Sequence, residues 1–292
     1  MERKTWRVQL VTAVCLAGAI WTPRTSADEL SGSLQIKGSD TMVNLVQAWA
    51  EDFMAKHPKV TVAVTGGGSG TGIAALIAGT CDLTATSRKM TQKEIDQAKA
   101  KGNEPKEWVV ALDGIAVAVH PGNPIKQLTL SQLADLFTGT MTNWKQVGGK
   151  EAAVVLLSRE VNSGTHVYFK EHVLGKGPDG HEREFAADAL LLPSSQAIAD
   201  EAAGNPAAIG YYGMGYLNAK NAAVAIGKTA AGPFVAPSEE AVRSGAYPIS
   251  RPLLFYSPGT PQGATKAFLD FVMSPDGQAV VHKVDFVPVK GQ

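Results

Sequence analysis

Short apolar runs of strand type alternate along this chain with stretches whose apolar residues recur every three or four positions. SLQIKG (33–38) alternates and ends at Gly38, and Met42, Leu45, Val46, Trp49 and Phe53 then mark a helix that stops near His57-Pro58. KVTVAVTG (59–66) is rich in β-branched residues and reads as a strand. GGSGTGIAALIAGT (67–80) is a glycine turn into a helix, and DLTATS (82–87) is a further strand. TQKEIDQAKAKG (91–102) is a polar helix with Thr91 and Glu94 set as a capping box and Gly102 as terminator. The pattern continues with a helix at 129–139, a strand at 151–158, a helix from Ser163 to Gly175, strand and turn at 207–217, and closing helices in 264–284 interrupted at Ser274-Pro275. Such alternation predicts an α/β fold with largely parallel sheets.

Two apolar runs are longer than a single buried strand needs, near 109–119 and 251–257. Read as two crossings, they divide the chain into lobe 1 (28–115), lobe 2 (116–251) and a return to lobe 1 (252–292), with a cleft between the lobes. Asp113 and Gly114 stand at the first crossing, as hinge neighbours or as ordinary core strand.

The first 27 residues are of a different kind. A basic MERKTWR precedes the apolar VQLVTAVCLAGAIW, and Thr25 and Ala27 supply small residues before Asp28. This is the pattern of a secretory signal peptide (1–27), and Thr12-Ala13-Val14 before Cys15 does not fit a lipoprotein signal. A cut there takes Arg3, Lys4, Arg7, Arg24 and Glu2 from 27 basic and 27 acidic residues, leaving 23 and 26, net −3. That balance gives no reason to expect nucleic acid as a partner. One cysteine remains, Cys81, in the apolar context GTCDLTAT, so no internal disulfide forms and the core must supply the stability. No later segment reaches about 18 consecutive apolar residues.

Three strand-to-helix turns share one composition: Gly38-Ser-Asp-Thr41, Gly66-Gly-Gly-Ser-Gly-Thr-Gly72 and Arg159-Glu-Val-Asn-Ser-Gly-Thr165. The first N–H groups of a helix have no internal partner and favour anions, glycine lets a ligand approach the backbone, and Ser/Thr hydroxyls add donors. Arg159 adds a planar fork suited to two oxygens of a tetrahedral ion. Taken singly, each turn is an ordinary N-cap; set around one cleft, they would enclose a small anion. The glycine loop lacks the Lys-Ser/Thr of a nucleotide loop and does not fit G-x-S-x-G. A serine hydrolase would need a base. His166, next to Thr165, is expected at the rim or in solvent, and the histidines show no metal spacing.

The stretches GSDTMVNLVQAWAEDF, VTGGGSGTGIAALIAGTCDLTATSR, SREVNSGTHVYFKEHVL and AAIGYYGMGYL together resemble the phosphate-binding proteins of ABC-type phosphate importers, the PstS family. The resemblance implies a type II periplasmic-binding-protein fold, two α/β lobes joined by a two-strand hinge. It implies a periplasmic, monomeric, non-enzymatic receptor without cofactor that captures inorganic phosphate and delivers it to a membrane permease. Carried over by position, it implies phosphate contacts from Arg159, Ser163, Gly164 and Thr165 in one lobe, and from Ser39, Thr41, Ser69 and Gly70 in the other. One departure stands out. Family members end the D-x-x-x-S-D stretch with an aspartate that accepts the phosphate proton, where this chain has Ser87; conversely Asp40 stands where they carry a threonine. The expectation is a swap, with Asp40 as acceptor and Ser87 as hydroxyl donor. The departure keeps another tetrahedral oxyanion (sulfate, molybdate, a phosphonate) as the alternative, followed by an anion binder without a transporter and, last, a secreted hydrolase. Arg88 is expected either to ring the cleft or to pair with Asp82 or Asp40.

Overall fold

The structure is a computed structural model and describes residues 1–2, 30–177 and 179–289. The signal-peptide reading and Cys15 fall outside the described residues. Among the described residues no helix is long and apolar enough to cross a membrane.

The first unit starts with β1 (Gly32–Gly38), a tight turn at 40–42 and α1 (Val43–Lys56). It continues through β2 (Val60–Thr65), α2 (Ser69–Ala78), β3 (Leu83–Thr86) and α3 (Gln92–Ala100) to the long β4 (Lys106–Val119). The middle of the chain holds β5 (Gln127–Thr129), α4 (Leu130–Phe137), β6 (Val155–Arg159), α5 (Gly164–Phe169), β7 (Leu190–Leu192), α6 (Ser195–Gly204) and β8 (Ala208–Gly213). The short β9 (Ala222–Ala223), β10 (Ala225–Gly227), β11 (Phe234–Val235) and α7 (Glu239–Arg243) lead into β12 (Ser250–Ser257), α8 (Gly263–Val272) and α9 (Pro275–Lys283).

The main sheet runs β2-β1-β3-β12-β4-β8-β6-β7, with β9 added on β4. Its two flanks, β2-β1-β3 and β8-β6-β7, are parallel, as βα alternation requires. Its centre is not: β3–β12, β12–β4 and β4–β8 all pair antiparallel, so the expectation of largely parallel sheets holds for the flanks alone. The reason is β4. Residues 106–114 pair with β12, and residues 115–119 pair with β8, so one strand serves both flanks and changes partner at Gly114. A Cβ at Gly114 would sit 2.8 Å from the Val242 side chain. The chain returns beside this point: Ile115 N–H donates to Ile249 O and the Tyr247 hydroxyl to Ile115 O. The fold is thus two α/β lobes joined through a pair of crossing segments, with the chain leading into β12 bonded beside Ile115 of β4.

One apolar core runs through both lobes by way of β4, with a smaller separate cluster of Ile73, Leu76, Cys81, Met90, Ala98, Leu254 and Tyr256 between α2, α3 and β12. At the lobe 1 end of that core, Leu45, Val46, Trp49 and Phe53 of α1 are buried, Phe53 meets Phe268 edge-on at 5.3 Å, and Trp49 Nε1 donates to Gly277 O at 2.7 Å. At its lobe 2 end, Phe169 stacks on Tyr211 at 3.9 Å with Phe137 edge-on to both. Each such side chain contributes about 1.5–3 kcal/mol on burial. Cys81 is buried as expected, its thiol 3.3 Å from Thr84 Oγ1 and pushed up in pKa by burial.

Candidate functional site

The three turns meet. All lie at the carboxyl ends of parallel strands, β1, β2 and β6, where open α/β sheets place ligands. The first two are brought together by glycines that allow backbones to touch. A Cβ on Gly72 would come within 2.6 Å of Gly38 Cα, and one on Gly38 within 2.1 Å of Ala85 O. Ser39, Ser69 and Ser87, all buried, therefore form one hydroxyl cluster: Ser39 Oγ donates to Ser87 Oγ at 3.0 Å, Ser69 Oγ lies 3.3 Å from Ser87 Oγ, and Ser87 N–H donates to Ser69 Oγ.

The third turn faces this cluster from the other lobe. Gly164 stands so close that a Cβ would meet Ser69 Oγ at 2.3 Å and Ser87 Oγ at 2.7 Å. Thr165 Oγ1 lies 2.8 Å from Thr41 Oγ1, with both residues buried. Ser163 caps α5, accepting from Thr165 N–H. Asn162 clasps the glycine loop, donating from Nδ2 to Gly67 O at 2.8 Å while its carbonyl accepts from Gly70 N–H at 2.9 Å. The Gly70 amide, expected as a ligand donor, is thus engaged by Asn162 O across the lobes.

Arg159 is 1% exposed at the end of β6. Its NH2 donates to Asp40 Oδ2 and Pro193 O, each at 3.0 Å, and NH1 donates to Ser195 Oγ at 3.1 Å. Its Nε has no hydrogen-bond partner among the described residues. Burial draws its pKa below the ordinary value and the Asp40 carboxylate works the other way; an arginine stays charged throughout. Asp40 does not cap the helix that follows. Its Oδ1 accepts from Gly67 N–H at 2.9 Å, its Oδ2 takes Arg159, and the Tyr216 hydroxyl donates to its backbone carbonyl at 2.7 Å. The acid, the arginine and the glycine loop form one unit spanning both lobes.

Two expectations are corrected. Arg88 pairs with neither Asp82 nor Asp40: NH1 and NH2 hold Glu94 two-pronged at 2.9 and 2.7 Å, because the Thr91–Glu94 capping box fixes that carboxylate within reach. His166 is not at a rim. It is buried against Phe185, with Nδ1 3.3 Å from Ser158 Oγ, and burial lowers its pKa.

Sequence reasoning passed over Asn162, Tyr216 and above all Arg251. Arg251 and Asp113 are fully buried and joined, with Nε and NH2 donating to Asp113 Oδ2 at 3.0 and 2.9 Å. A signal was present: each of the two long apolar crossing runs carries a single group of opposite charge at the crossing, and buried charges come in pairs.

Residues 23–276 match the family model of the PBP superfamily domain. The chain is similar to the phosphate-binding protein PstS of Pseudomonas aeruginosa, 35% identical over 280 residues that cover 90% of this chain and 85% of that protein. It is similar to the phosphate-binding protein PstS of Bacillus subtilis at 34% identity, covering 90% and 82%. Among solved structures, it resembles a phosphate ABC transporter substrate-binding protein with bound phosphate from Clostridium perfringens. There the TM-score is 0.78 and the identity 34%, covering 89% of this chain and 100% of that one.

Proposed function

Because the chain belongs to the PstS family of phosphate-binding proteins within the PBP superfamily, we propose that its converging turns form one shell around inorganic phosphate. Ser39, Thr41, Ser69 and Ser87 supply donors from lobe 1, and Arg159, Ser163, Gly164 and Thr165 from lobe 2, while the Gly70 amide stays with Asn162 O in the clasp between the lobes. The observation that carries this reading is the meeting of three Ser/Gly/Thr helix beginnings from both lobes at a buried arginine whose Nε is unpartnered. Lobe 1 spans 28–115 and 252–292, and lobe 2 spans 116–251. Phosphate meets one lobe, the lobes turn about the paired crossings, and the second set of donors closes the shell. Closure is stabilised by contacts that the open form lacks: Asn162 to the glycine loop, Thr165 to Thr41, and Arg159 to Asp40. No covalent step is needed. The filled receptor, in the periplasm, hands its ion to the permease of an ABC importer.

Asp40 takes the role of proton acceptor and Ser87 that of hydroxyl donor. Each carboxylate oxygen has two lone pairs, so the bonds from Gly67 and Arg159 leave room for a phosphate O–H. Sulfate, which carries no proton, would face that carboxylate with acceptor against acceptor. Titration calorimetry with phosphate, arsenate, sulfate and molybdate tests the reading. One phosphate is expected to bind per chain, with sulfate undetected, and Asp40→Asn is expected to weaken phosphate by about tenfold or more while narrowing the gap to sulfate. Molybdate or sulfate binding more tightly than phosphate would make the other oxyanion the ligand. An unchanged preference in Asp40→Asn would remove the swap.

A further inference from the structure

We infer that Arg251, a residue of the crossing rather than of the turns, is a positioning residue that aims the Thr165 hydroxyl at the bound ion. The inference rests on the phosphate reading above. Four of the five guanidinium N–H groups have partners. Nε and one proton of NH2 hold Asp113 Oδ2, NH1 donates to Ser87 O at 2.9 Å, and the other proton of NH2 donates to Thr165 Oγ1 at 2.9 Å. Tyr168 lies against the same guanidinium, its ring centroid 5.6 Å from Cζ, and its hydroxyl donates to Ser250 O at 2.6 Å. Met214 N–H donates to the remaining oxygen of Asp113 at 3.0 Å. The cation is therefore fixed by residues of the crossing before it touches Thr165.

An arginine can only donate. Thr165 Oγ1 consequently spends one lone pair on Arg251, and it shares a 2.8 Å hydrogen bond with Thr41 Oγ1 in which either hydroxyl can donate; with Thr41 donating, both lone pairs of Thr165 are filled and its proton is left for the shell. A free threonine hydroxyl rotates to suit; the Arg251 bond narrows the choice for this one. Ser87 belongs to lobe 1 and Thr165 to lobe 2, so the same guanidinium also measures the lobes against each other. Its two outward bonds coexist only when the lobes stand as they do here.

The test is a double-mutant cycle on phosphate affinity, read by calorimetry, with thermal unfolding recorded for every protein. Arg251→Lys keeps the charge beside Asp113 and loses the fork; it is expected to weaken phosphate about tenfold. Thr165→Val is expected to weaken phosphate by a similar factor. In the Thr165→Val background, Arg251→Lys should cost less than about threefold further. In Thr165→Ser, which retains the hydroxyl, the full sensitivity to Arg251→Lys should return. Factors that multiply in Thr165→Val would mean that Arg251 acts through the fold alone and would overturn the inference. Should Arg251→Lys fail to fold, Asp113→Asn, which loosens the fork at its base, takes its place in the same cycle and is judged by the same criterion. A wild-type protein that ignores phosphate would instead remove the underlying function, which separates the two failures.

Discussion

Gly164 shows how finely the site is drawn at the scale of single residues. Its missing side chain is what lets the first turn of α5 rest on the serine cluster, since any Cβ would fall 2.3 Å from Ser69 Oγ. Gly164→Ala is expected to weaken phosphate by about 10–100-fold, the equivalent of the roughly 1–3 kcal/mol that overpacking costs. The collision exists only between the lobes, so unfolding of the ligand-free protein should barely change; thermal melts with and without phosphate check both halves of the statement. Much of this site was legible in the sequence. Ser39, Asp40, Thr41, Ser69, Gly70, Arg159, Ser163, Gly164 and Thr165 sit in turns whose composition announces unpaired amides and hydroxyls, Ser87 comes from the family resemblance, and the structure brings them close together. What was not legible is how they pair. The Gly70 amide meets Asn162 O, and Arg88 turns to Glu94, because such partners come from segments far apart in sequence or from a cap whose carboxylate has capacity left over.

At the scale of elements, local signals served well where the element satisfies itself. The capping box over Thr91 and Glu94 is present, with the threonine accepting from Glu94 N–H and the carboxylate accepting from Thr91 N–H at 2.8 Å. Thr91→Ala should cost about 1 kcal/mol of stability and leave phosphate affinity unchanged, as chemical denaturation beside calorimetry would show. Local signals failed where an element takes its orientation from elsewhere. β4 and β12 read as apolar strands, correctly, but apolarity says nothing of direction. Their antiparallel pairing follows from one strand having to serve both lobes. The segment 247–249 likewise bonds to Ile115 of β4 although its Tyr-Pro-Ile composition carries no strong strand signal.

The whole molecule stores its response to alkali in buried phenols. Burial pushes Tyr216 up to about 12 from an ordinary 10.0, and Tyr211, Tyr212, Tyr247 and Tyr256 are likewise raised by burial. The folded state favours the neutral phenol, so this stability is complete below the unfolded value near 10.0 and is lost as the pH climbs through the folded values from about 12 upward. A melting temperature that is level near pH 8 and falls steeply above pH 10 is expected; a flat profile to pH 12 would contradict it. Because Tyr216 holds the Asp40 carbonyl and keeps its proton in the folded state until about 12, phosphate affinity should hold through pH 10 and fall only as the pH nears that value.

β12 lies between β3 and β4 in the sheet although nearly 130 residues of chain separate it from β4. On a ribosome, which delivers the amino end first, the opening half of the protein therefore waits with a gap in its middle. It cannot knit until the last fifth of the polypeptide has emerged. Such distant pairing slows folding, and under the proposed export to the periplasm a chain that passes unfolded through a narrow channel gains time from that delay.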